Sequence, residues 1–141
     1  MYNFPDSPNF KSFAESARKG NSESIVAFNP GVKIPVISLT EYGDYTAGEI
    51  SNDLPVSGIE PCVIPLTRFI KNAQYHILTF LEGCWSKGTP SFPNEFVISY
   101  TKYINSFGGV ITWEFPPPDD EGNVKKEFFE QLISIGKNIS K

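Results

Sequence analysis

A single histidine, two cysteines and one methionine are all that 141 residues contain of those types. These scarcities remove whole classes of chemistry. Cys62 and Cys84 stand apart with no CxxC spacing, and only His76 is present to join them, so no metal site is expected and two buried free thiols are the plain reading. Cations are also sparse. Twelve Lys and Arg against 16 Asp and Glu give a net charge of −4, with no basic cluster to release counterions from phosphates. Nucleic acid is therefore not an expected partner, and a neutral or small polar ligand fits better. No stretch reads as a membrane span, so no membrane partner is expected either. Residues 1–6 have neither the basic start nor the apolar run of a signal peptide. No internal repeat, low-complexity run or domain boundary divides the chain, and 40% hydrophobic content suits one domain over residues 1–141.

What is present is clearest toward the C-terminus. Residues 110–115 are β-branched and aromatic nearly throughout, as a strand buried on both faces should be, and Pro116, Pro117 and Pro118 must end it. Asp119, Asp120, Glu121 and Gly122 form a polar turn. Asn123 then reads as the N-cap of a helix with an apolar stripe at Val124, Phe128, Leu132, Ile135 and Ile139. Upstream, Phe96, Val97, Tyr100, Tyr103, Ile104 and Phe107 make a second stripe, entered through Ser91 and Pro93 and closed by Gly108. Helix, buried strand, helix is an α/β pattern.

The N-terminal half is less regular. Ser7 and Pro8 read as a cap and first-turn pair for a helix carrying Phe10, Phe13, Ala14 and Ala17 up to Gly20. Residues 24–29 read as a short buried strand stopped by Pro30 and Gly31, with no strand preceding the first helix to pair with it. Residues 32–67 read as loop-rich ground, with residues 43–49 at its middle. Residues 74–81 suit a strand, although Phe69, Ile70, Ala73, Ile77 and Phe80 also fit a helical stripe; the strand is preferred. Residues 82–88 read as a turn.

Gly108-Gly109, the apolar strand, Pro116, the acidic turn with Gly122 and the run Phe129-Glu130-Gln131-Leu132-Ile133-Ser134-Ile135-Gly136 together resemble the last strand and last helix of the alpha-L-fucosidase-like glycoside hydrolases. The resemblance continues through residues 17–21, 26–31 and 44–49, so it covers nearly the whole chain. It departs at Trp113-Glu114-Phe115, where the family more usually has Asn-Val-Gly. It implies α/β architecture as the C-terminal part of a (β/α)8 TIM-type barrel, an incomplete barrel fragment, since a complete barrel takes about 250 residues. It implies a retaining hydrolase acting on a carbohydrate substrate with two carboxylates and no cofactor. The family's nucleophile is an Asp late on the fourth barrel strand in a Trp-Phe-Asp-Gly or related motif. None is present here, so the nucleophile is expected upstream and the chain alone is expected to be inactive.

Glu49 is the candidate general acid/base. Gly48 lets the backbone come close to a ligand, and the loop sits where the family places its second carboxylate. Asp44 and Glu41 compete for that role, and a solvated loop carboxylate is the bland alternative. Trp85 and Trp113 offer flat faces to a sugar ring or fill the core. Glu114 is expected to face the pocket or to sit in a structural ion pair. Because strand side chains alternate, either Trp113 or its neighbour Glu114 faces the ligand, and the pattern alone leaves the choice open. His76 is a pocket residue or a satisfied core histidine, and Asn29 is a pocket-edge candidate at the end of its strand. A non-catalytic carbohydrate-binding or interaction module, complete at this length, is the competing reading, to be separated from the enzyme by whatever sequence lies upstream.

Overall fold

The computed structural model describes residues 9–51, 54, 66–84 and 87–139; the expected Ser7–Pro8 cap lies outside them. Its elements are α1 (Asn9–Arg18), β1 (Phe69–Ile70), β2 (Ala73–Gln74), β3 (His76–Phe80), β4 (Glu82–Cys84), β5 (Lys87–Pro90), α2 (Asn94–Ser106), β6 (Val110–Glu114) and α3 (Lys126–Ile139). Mixed helices and short strands result, with no closed barrel among the described residues. The organising unit is β3–α2–β6. β3 and β6 pair in parallel with His76 opposite Val110, Leu78 opposite Thr112 and Phe80 opposite Glu114, and α2 crosses between them. A parallel pair needs such a crossover, and the α2 stripe supplies the apolar face that packs back on the sheet. Tyr75 and Ile77 lie against Tyr100 and Ile104, while Leu81, Val97 and Phe128 join α2 to α3 in a second cluster.

The other face of the sheet is open. Val110 is 44% exposed and Thr112 is exposed, so β6 is covered on one side only rather than on both as its composition implied. Apolar composition reports that a strand wants cover; among the described residues, helices cover one face and no layer covers the other.

Residues 44–50 run parallel to β2 and β3 on the side away from β6, which the sequence hid behind its glycines and polar residues. Gln74 N–H donates to Asp44 O at 2.8 Å, Thr46 N–H to Gln74 O at 3.0 Å, Leu78 N–H to Gly48 O at 2.9 Å and Ile50 N–H to Leu78 O at 3.0 Å. At the middle the ladder is carried by a side chain. Thr46 Oγ1 accepts from His76 N–H and donates to His76 O, both at 2.8 Å. Gly48 is required at this point, because a Cβ there would lie 1.9 Å from the His76 carbonyl oxygen, and its φ of +62° is in the left-handed region.

Residues 24–29, expected as a strand, are extended but form no regular ladder. Asp44 N–H donates to Val26 O at 2.7 Å, while the Val26 N–H goes to the Asp44 carboxylate at 2.7 Å. A side-chain acceptor has replaced a backbone one, which is how Asp competes with sheet formation. Asn123 likewise does not cap α3, which begins at Lys126; its N–H donates to Asp119 Oδ1 at 2.8 Å and closes the preceding turn.

Candidate functional site

The parallel register sorts side chains between two faces. Isolated bridges pair Tyr45 with Gln74 and Glu49 with Leu78, and bridge partners share a face. With β3 and β6 in register, Tyr45, Glu49, His76, Leu78, Val110, Thr112 and Glu114 therefore belong to the open face, here called the inner face. Toward the start of the strands it forms a concavity of about 520 Å3 lined by Tyr45, Gln74, His76, Leu78, Val110 and Thr112 among others. Glu49 and Glu114 stand nearer the C-terminal ends of the strands. Taking about 4.8 Å between strands and about 6.6 Å for two residues along one, their Cα atoms lie roughly 12 Å apart.

Glu49 is half-buried, and its Oε2 accepts from Asn29 Nδ2 at 2.5 Å, so two of the sequence candidates meet. Its backbone is fixed as well, since Lys33 N–H donates to Glu49 O at 3.2 Å. The competing carboxylates are placed differently. Asp44 Oδ2 takes a hydrogen bond from Arg18 Nη2 at 2.5 Å and another from Val26 N–H, which occupies it in joining α1 to the extended segment. Glu41 is exposed in a turn.

His76 is 9% exposed and satisfied at both ring nitrogens. Nδ1 lies 3.0 Å from Thr46 O and 3.2 Å from Ala47 O, so it carries the proton and donates; Nε2, 2.9 Å from Thr112 Oγ1, accepts from that hydroxyl. Burial pushes its pKa below the usual 6.5, partly opposed by the two backbone carbonyls. The edge of Tyr45 meets the ring at 5.4 Å. His76 thus ties residues 44–50, β3 and β6 together.

Trp113 is on the covered face. Its Nε1–H donates to Thr101 Oγ1 at 2.9 Å, and its ring packs against Phe92 and Tyr100 at 6.1 and 6.2 Å. It does not join Glu49 and His76, and by alternation its neighbour Glu114, half-buried, takes the inner face. Trp85 lies outside the described residues. Sequence reading missed Tyr45 and Thr112, which period-two counting back from Glu49 and Glu114 would have found. It also passed over Glu82, a carboxylate 1% exposed just past the end of β3, inside what looked like a turn. Among the described residues no cluster of three or more His, Cys, Asp or Glu could hold a metal, and no helix is long and apolar enough to cross a membrane.

No protein-family model, curated protein or solved structure matches this chain.

Proposed function

We propose that the chain is the C-terminal part of the (β/α)8 barrel of a retaining glycoside hydrolase of the alpha-L-fucosidase-like type, with Glu49 as general acid/base and its nucleophile supplied from upstream. The observation that carries the reading is the parallel run of residues 44–50, β3 and β6, which puts Glu49 and Glu114 on one face toward the same strand ends. Ligands in α/β barrels bind at those ends. Helices on the outer face and an inner face with no layer over it among the described residues also support a barrel segment, as does Ile25, 73% exposed beside the same concavity.

In this reading Glu49 protonates the leaving oxygen and then activates water, while Glu114 and Trp85 meet the sugar. Of the other candidates, His76 shapes the floor of the site and Trp113 supports it from behind. A carbohydrate is the partner, and the chemistry needs no cofactor. The test is Glu49→Gln in the full-length protein, assayed on aryl glycosides. A loss of about 10²–10⁴-fold on poor leaving groups, shrinking on good ones, is expected. An unchanged rate on a poor leaving group removes Glu49 from the chemistry, and sugar binding without hydrolysis by the unsubstituted protein favours the binding module.

A further inference from the structure

Asn29 ends the extended segment beside α1 and is followed by Pro30 and Gly31. Gly31 has φ +82°, and Gly31 N–H donates to Asn29 Oδ1 at 2.8 Å. Only the oxygen of an amide can accept from a backbone N–H, so this contact decides which end of the Asn29 side chain is which. Its NH2 group is left facing Glu49 and donates to Oε2 at 2.5 Å. Glu49 is held from behind by the Lys33 N–H on its own carbonyl and by the close fit of Gly48 on β3. The Asn29-Pro30-Gly31 turn therefore reaches across to fix one carboxylate oxygen of Glu49, leaving Oε1 as the oxygen a ligand would meet.

We infer that Asn29 is a positioning residue that holds the Glu49 carboxylate in its working rotamer, rather than a group that itself grips the sugar. The catalytic part of this inference rests on the glycoside hydrolase reading; the pairing itself does not. Misplacing a reacting group by about 1 Å costs on the order of 10²-fold in rate. In the full-length protein, Asn29→Ala should then lower kcat by about 10²-fold on an aryl glycoside with a poor leaving group, with KM little changed. The loss should shrink on a good leaving group, as it does for Glu49→Gln, and Asn29→Ala should add nothing in the Glu49→Gln background. Equal losses on both substrates, a rise in KM, or losses that multiply in the double variant would overturn the inference and make Asn29 a sugar contact.

A second measurement does not need activity. The side-chain amide resonances of Asn29 in the 15N-labelled full-length protein should move in Glu49→Ala and stay in place in Glu41→Gln, a change at an exposed carboxylate. Resonances indifferent to Glu49 overturn the pairing even in an active hydrolase. Resonances that respond, in a protein that cleaves no glycoside, uphold the pairing and count against the hydrolase reading alone.

Discussion

Trp113 donates its indole N–H to the Thr101 hydroxyl at 2.9 Å, and Thr101 passes its own hydroxyl proton to Val97 O at 2.7 Å within α2. The last strand is thereby anchored to the helix that crosses behind it. Trp113→Ala should open a large cavity between α2 and β6 and cost about 3–5 kcal/mol. Glu114→Gln, one residue away on the inner face, should leave stability nearly unchanged. Urea denaturation of the two variants side by side checks this, and the reverse ranking would mean the faces are assigned the wrong way round.

Gly48 is the point where residues 44–50 press hardest on β3. An alanine there would need both a left-handed backbone and a Cβ 1.9 Å from the His76 carbonyl oxygen. The segment must move away, taking the Glu49 carboxylate with it. Gly48→Ala should cost more than about 2 kcal/mol. Circular dichroism melts would test it; a wild-type Tm would show that the close approach is not needed.

His76 gives a pH dependence with a definite sign. Burial lowers its folded-state pKa below 6.5, so between that lowered value and 6.5 the unfolded chain binds the proton more readily than the folded one. Its contribution to stability is intact above pH 6.5 and is lost as the pH falls through the folded-state pKa. His76→Asn keeps a donor for the Thr46 and Ala47 carbonyls but cannot titrate, and should flatten that part of the stability profile. A profile with the same slope below pH 6.5 in both proteins would assign the acid sensitivity elsewhere.

Tyr75 is fully buried against Ile77, Ile104 and the Phe107 ring, and its hydroxyl has no hydrogen-bond partner among the described residues. Burial also pushes its pKa up, with the neighbouring Tyr103 adding to the effect. An unmade hydrogen bond in the core costs about 1–3 kcal/mol. Tyr75→Phe should therefore be neutral or stabilising by about 1 kcal/mol, read as a rise in Tm. A drop in Tm would show that the hydroxyl has a partner outside the described residues.

The sequence by itself determined the elements whose signals are local. The stripe from Val97 to Ile104, the β-branched run at Val110 and the stripe through Phe128 and Leu132 each repeat at the period of the element they form. Gly108 and the three prolines mark their ends. β3 was also legible, though its apolar residues suited two periods at once. What only the tertiary structure decided depends on partners far along the chain. Residues 44–50 join the sheet because the Thr46 hydroxyl stands in for a backbone group opposite His76, 30 residues away, and residues 24–29 lose their ladder because Asp44 takes the Val26 N–H. Alternation offered Trp113 or Glu114 to the inner face. The choice was made by where α2 packs, since covering one face buries Ile77 and Trp113 together and leaves Thr112 and Glu114 on the other. The meeting of Asn29 with Glu49 follows from the same cause: 20 residues separate them in the chain, and the turn at Gly31 and the close approach of Gly48 to β3 bring amide and carboxylate within reach.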